Sequence, residues 1–122
     1  MLIDDYFDQL ENIINSCGYI QTKIVHKDKR SDYIGYFRAD LHFHDGSLLH
    51  VREFVSTRVD VVKGIYAYHY QDSSNRMIFR YDNTEHFPAL QTFPHHKHTI
   101  SGVAATSEPN LQDVIDEIIA IL

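Results

Sequence analysis

Apolar residues recur at helical spacing near both ends of the chain and alternate between them. Ile3, Tyr6, Phe7, Leu10, Ile13, Ile14 and Cys17 follow an i, i+3, i+4 pattern, which predicts an amphipathic helix. Asp4, Asp5, Asp8 and Glu11 lie off that stripe, and early acids suit the positive end of the helix dipole. Gly18 follows as a stop signal. Leu111, Val114, Ile115, Ile118, Ile119 and Leu122 predict a second helix. There Asn110 can cap, and Asp113 can reach back to close a capping box. The plain function of both stripes is core packing. The closing run "IIAIL" also leaves room for a homodimer contact or a docked partner helix.

The middle of the chain has the period of two expected of strands. "YIQTKIV" alternates and is rich in β-branched residues. "YFRADLHF" sets Phe37, Ala39, Leu41 and Phe43 on one face and Tyr36, Arg38, Asp40 and His42 on the other. Asp45-Gly46 joins it to "SLLHVREFV", a strong hairpin signal. "GIYAYHYQ" and "RMIFRYDN" form a second hairpin across "DSSN", and "HHKHTI" supplies a short last strand. "AATSEPN" reads as a linker to the last helix. The fold expected is a single α+β domain spanning 1–122, an antiparallel sheet of about five or six strands flanked by N- and C-terminal helices.

The first hairpin allows two registers. A two-residue turn sets Arg38 opposite Glu53. A three-residue turn ending in a Gly46 bulge shifts the pairing by one and puts Glu53 on the face of Leu49, Val51, Leu41 and Phe43. The second segregates apolar residues better and is the one expected. It leaves Glu53 at the core edge in need of a partner, for which Arg80 is a candidate.

Composition narrows the class. A 122-residue chain with ordinary apolar and charged fractions is long enough for one packed core without staples. Cys17 is the sole cysteine, which rules out an intrachain disulfide and fits a reducing compartment. The acidic start lacks a secretory pattern, and no apolar run reaches bilayer length, so a cytoplasmic protein without membrane association is expected. The net charge of −6 argues against a generic nucleic-acid binder. Yet residues 1–17 and 108–122 hold four acids each and no base. All nine histidines and all 11 Lys and Arg lie between those ends, so the middle is neutral to basic and can still meet RNA or phosphate.

Candidate chemistry centres on "PHHKH". On a strand, His96 and His98 point one way and His95 and Lys97 the other. Two histidines at i, i+2 can bind zinc, and His42 and His44 repeat the spacing, so a site of His42, His44, His96 and His98 is one option. Lys97 argues against a metal, and no strict ligand motif is present. Acid–base chemistry fits better. RNA cleavage by its own 2′-hydroxyl needs one group to take the 2′ proton, one to protonate the 5′ oxygen, and a cation on the phosphate. Histidines can fill the first two roles and Lys97 or Arg80 the third. The plain alternative is a set of solvated imidazoles.

"FRYDN" places Arg80 and Asp82 on one strand face. Arg80 can hold a phosphate by its planar fork, and Asp82 can orient a histidine, with His86 three residues beyond Asn83. A surface ion pair before a turn is the plain reading. Tyr66, Tyr68 and Tyr70 form a stripe that either packs under the helices, the preferred reading, or stacks bases. "KIVHKDKR" is a solvated strand end and loop, or an electrostatic approach for an anion.

The order "DGSLLHVREF", "YAYHYQDSSNRMIFRYDN", "HFPALQTFPHHKH" and a capped acidic helix resembles the TumE-like family, the toxin components of type II toxin–antitoxin modules. The likeness runs from Tyr36 to the end of the chain and is most specific in "FRYDN…H…TFPHHKH". It implies a cognate helix-turn-helix antitoxin that neutralises by direct binding. It puts weight on Asp45, Gly46, Glu53, Tyr68, His69, Arg80, Asp82, Asn83, His86, His95, His96, Lys97 and His98. At 87, where the pattern suggests a second histidine, this chain has Phe87. The expected function is a toxin that cleaves RNA without a metal or other cofactor. His96, His98 and His86 are the acid–base candidates, oriented by Glu53 and Asp82. Arg80, Lys97, His95 and Tyr68 are the candidates to hold the substrate phosphate. The alternatives are a non-enzymatic toxin that blocks a cellular partner, and a histidine-rich metal-dependent hydrolase.

Overall fold

The computed structural model describes residues 1–122. Helix α1 (Ile3–Asn15) leads into strands β1 (Ile20–Lys29), β2 (Ile34–Phe43), β3 (Leu48–Ser56), β4 (Val62–Gln71), β5 (Met77–Asp82), β6 (His96–Thr99) and β7 (Gly102–Ala105), and helix α2 (Leu111–Ile121) closes the chain. The strands form one seven-stranded antiparallel meander in sequence order. This is the expected α+β architecture with one strand more. The unexpected strand, β7, lies between the last expected strand and the linker and takes in the linker's first two residues, Ala104 and Ala105. It is a four-residue exposed edge strand with no alternation to betray it.

Alternation sorts the sheet into two unlike faces. Phe37, Ala39, Leu41 and Phe43 of β2, Leu49, Val51 and Val55 of β3, and Tyr66, Tyr68 and Tyr70 of β4 are buried with the apolar faces of both helices in one core. The tyrosine stripe thus packs under the helices, as preferred. Helix α1 lies so near β2 that a Cβ on Gly35 would meet Phe7 Cζ at 2.6 Å, so no larger residue fits there without movement. The opposite face carries no helix. It presents Tyr36, Arg38, Asp40 and His42 of β2 and His50, Arg52 and Phe54 of β3.

The first hairpin has the shifted register. Phe37 pairs with Glu53 and Arg38 with Arg52, and Gly46 takes φ +86°. That positive φ is what the extra turn residue demands, and glycine adopts it without strain. Asn110 accepts from Asp113 N–H while Asp113 accepts from Asn110 N–H, completing the expected capping box. Helix α1 ends at Asn15, before Gly18, with Ser16 as its C-cap.

The lysines of β1 are engaged by α1. Lys27 pairs with Glu11 at 2.6 Å, Lys29 with Asp4 at 2.8 Å, and Lys23 bonds Asn15. The charge run is therefore part of a longer strand, and Lys27 and Lys29 are not free to attract an anion. No helix is long and apolar enough to cross a membrane.

Candidate active site

The helix-free face carries a compact polar cluster where β5 and β6 run side by side. Asp82 pairs with His96, and Arg80 with His98. All four side chains point away from the helices, because each alternates with an inward neighbour: Phe79 and Tyr81 on β5, Lys97 and Thr99 on β6.

Asp82 is the hub, buried at 3% exposure. Its Oδ1 accepts from the Thr84 N–H at 3.0 Å and the Thr84 hydroxyl at 2.8 Å. Its Oδ2 accepts from Arg80 Nε at 2.9 Å. Burial alone would raise its pKa, but the Thr84 and Arg80 hydrogen bonds and the His96 ring outweigh it and hold the carboxyl below its usual range. Asn83 then ends β5 by imitating a strand partner: it accepts from Tyr66 N–H and donates to Gly64 C=O.

His96 is buried, and its Nδ1 lies 2.9 Å from the Pro94 carbonyl. A carbonyl only accepts, so Nδ1 carries a proton. Nε2 sits 2.9 Å from Asp82 Oδ1 yet makes no well-angled hydrogen bond. His98 is more open. Its Nε2 is 3.7 Å from Asp82 Oδ2, and its ring meets His96 at a 4.8 Å centroid separation. Burial pushes the His98 pKa down, helped by His96 and Arg80 and opposed by Asp82. Phe87 packs edge-on against both rings, at 4.9 Å from His96 and 5.8 Å from His98. Position 87 is thus an apolar cover over the imidazoles.

A third histidine joins from β4. His69, Arg80 and His98 lie directly beside one another on three adjacent strands. Arg80 Nη1 is 3.4 Å from His69 Nδ1. Burial lowers the His69 pKa, and Arg80 and His50 lower it further. His69 and Arg80 also line a shallow basin of about 260 Å³ with His50, Arg52, Ala67 and Gln71. The family resemblance put weight on His69 in the sequence but gave it no role. The signal was the register that lines it up with Arg80, which no single strand reveals.

Other expected members lie elsewhere. Glu53 is buried on the helix side, 1% exposed, where it accepts from the Tyr6 hydroxyl and from the Tyr68 hydroxyl at 2.5 Å. Arg80 is not its partner, because the two side chains leave opposite faces of the sheet. Tyr68 also accepts from Lys63 Nζ at 2.9 Å. Burial, with Glu53 beside it, pushes the Tyr68 pKa well up. Lys97 faces α2, pairing with Glu117 at 2.7 Å and lying 4.9 Å from the Tyr81 ring centroid. His95 binds the Tyr66 hydroxyl at 2.8 Å through Nδ1. His86 is exposed on the loop after β5, 6.4 Å from the Phe87 ring centroid. His42 lies four strands from His98, ~19 Å at ordinary strand spacing, so the four-histidine metal site does not form.

The groups that do meet offer a different metal geometry. Asp82, His96 and His98 each present a ligand atom within 4.8 Å of the others. One carboxylate and two imidazoles can hold a divalent transition metal. Arg80 on Asp82 Oδ2 would set a second positive charge beside such an ion.

Sequence comparison bears on the same residues. No curated protein and no solved structure matches the chain. The family model described as Toxin TumE matches residues 9–122, a span that takes in the whole sheet, the Asp82 cluster and the closing helix. With a match over nearly its full length, the chain belongs to the TumE toxin family.

Proposed function

We propose that this toxin cleaves RNA through the RNA's own 2′-hydroxyl, with His69 and His98 acting on either side of a phosphate held by Arg80. The observation that supports this is the row His69–Arg80–His98 across three adjacent strands. The outer two positions lie ~10 Å apart at ordinary strand spacing, which leaves room for a phosphodiester between two imidazoles that reach inward. Arg80 is fixed by Asp82, so its fork is preorganised for the charge that builds on phosphorus.

The roles follow from the surroundings. His98 takes the 2′ proton, because Asp82 stands within 3.7 Å to stabilise the imidazolium that forms. The 2′ oxygen attacks phosphorus, the bond to the 5′ oxygen breaks, and His69 supplies that oxygen with a proton. His69 acts as the imidazolium and gives the leaving oxygen its Nε2 proton, while Nδ1 faces Arg80 Nη1 at 3.4 Å. The products are a 2′,3′-cyclic phosphate and a 5′-hydroxyl. His96 is too buried to touch substrate, so it acts as a positioning residue that backs Asp82 and His98. A toxin family implies an antitoxin. We propose that the antitoxin blocks this open face by direct binding.

The test is RNA cleavage by antitoxin-free protein in EDTA. His69→Ala and His98→Ala should each lower kcat by about 10²–10⁴. Intact RNA with wild-type protein would sink the proposal. A second reading has one observation behind it, the clustering of Asp82, His96 and His98. A metal-dependent hydrolase at that triad would lose all cleavage in EDTA and regain it with a divalent transition metal.

A further inference from the structure

Arg38 and Arg52 lie directly opposite each other on β2 and β3, on the helix-free face. Both are exposed, and neither makes an ion pair or a side-chain hydrogen bond. Like charges in that position repel and weaken a strand pair. Most other cations of this protein have an acidic partner, as Lys27 and Lys29 of β1 show, and of the rest Lys23 bonds Asn15 and Arg58 lies over the Tyr33 ring. An unpaired cross-strand couple of arginines therefore points to an anion from outside.

The couple belongs to a longer line. His26, Arg38, Arg52, Ala67, Asp82 and His96 are successive partners across six strands. Beside it runs a second line, Asp40, His50, His69, Arg80 and His98. Apart from Ala67 and from Asp40, which is bound to His50, cationic and imidazole groups thus lead from β1 to the Asp82 cluster, perpendicular to the strands. Ala67 keeps the floor low between Arg52 and Arg80, and the basin lies over it. Flanking the arginines on the other side, Tyr36 and Phe54 form a half-buried aromatic cross-strand pair. Neither ring is buried under a helix.

We infer that this face is a track for single-stranded RNA, with Arg38 and Arg52 holding phosphates upstream or downstream of the scissile one and Tyr36 and Phe54 stacking unpaired bases. Cation rows follow a backbone, and half-buried rings on an open sheet face favour bases free of a duplex. Arg80 stands in the neighbouring row, so Arg52 lies ~12 Å and Arg38 ~16 Å from it, two and three strand spacings across and two residues along, and the track spans a few nucleotides. A second copy of this chain does not fit in that place, since a two-fold contact there would bring arginines onto arginines. The inference rests on the ribonuclease reading for what happens at Arg80, and not for the binding itself.

The experiment uses the full chain with Arg38→Ala and Arg52→Ala combined. Binding of a fluorescently labelled, unstructured 12-nucleotide RNA is followed by anisotropy across a salt series, in a His98→Ala background that stops cleavage. The double variant should bind at least about ten-fold more weakly, and its log–log salt slope should fall by about 1.4, two phosphates at ~0.7 each. The same sequence as a duplex should bind more weakly than the single strand. With His98 restored, kcat/KM on the 12-mer should fall through KM, and by more than it falls on a dinucleotide. Equal affinity and slope for the variant would overturn the track, as would a wild type that binds only the antitoxin through these arginines. If the protein binds RNA as described but cleaves none, the track stands and the ribonuclease proposal fails. Circular dichroism and melting control for folding. Removing the repelling pair should leave Tm unchanged or raise it.

Discussion

Glu53→Gln separates the helix face from the open face. The carboxylate accepts one tyrosine hydroxyl on each oxygen, Tyr6 on Oε1 and Tyr68 on Oε2, in a buried place. Glutamine offers one accepting oxygen and an NH2 that only donates, so one hydroxyl loses its acceptor. Tyr68 cannot simply reverse its role, because its oxygen already accepts from Lys63. Lys63 also loses a nearby countercharge, and its pKa, lowered by burial against the pull of Glu53, should fall further. Replacing two hydrogen bonds to a charge by one neutral bond costs about 2–3 kcal/mol. For a chain of this size that is a fall in Tm of about 8–12 °C. The chain has no tryptophan, so urea unfolding should be followed by circular dichroism or tyrosine emission. The cost arises where Tyr6 of α1 meets β3 and β4, far from the imidazoles. RNA cleavage per folded molecule should therefore stay within about two-fold of wild type, since the change makes no contact with the reacting groups. Unchanged stability with lost cleavage would refute the reasoning and return Glu53 to the chemistry.

Other consequences concern the open face and its neighbours. Burial lowers both His69 and His98 from the ordinary 6.5, so each gives up its proton more readily than a free imidazole. The kcat/KM profile should therefore peak below about pH 6.5 and fall on the alkaline side as the general acid loses its proton; a peak above pH 7.5 would contradict the assignment. Arg80→Lys keeps the charge but loses the fork and should cut kcat roughly ten- to hundred-fold, measured in single turnover. Lys97→Met removes a partly exposed ion pair with Glu117, which should cost at most about 1 kcal/mol in urea unfolding and leave cleavage within two-fold.

The sequence carried the sheet's alternation well, because buried and open positions differ so sharply along β2 to β4. Gly46 and the apolar face of β3 were enough to choose the register that buries Glu53. Alternation also separated Lys97 from His96 and His98, yet sequence proximity kept them in one cluster; in a strand, neighbours in sequence are on opposite faces. What was not legible depends on pairing across several strands. His69 reaches Arg80 only because of the β4–β5 register, and Arg38 meets Arg52 only because of the β2–β3 register. The partner of Glu53 was hidden for the same reason, since Tyr6 comes from a helix 47 residues away. Strand β7 gave no signal, being short, exposed and apolar without alternation.

The central claim is that His69, Arg80 and His98 transfer the 2′ proton and the phosphate without a metal. The chemistry of the new RNA ends tests it most directly. RNA incubated with antitoxin-free protein in EDTA should yield 2′,3′-cyclic phosphate and 5′-hydroxyl ends by mass spectrometry, and neither with His98→Ala. Ends bearing a 5′-phosphate and a 3′-hydroxyl, formed only with a divalent metal, would contradict it.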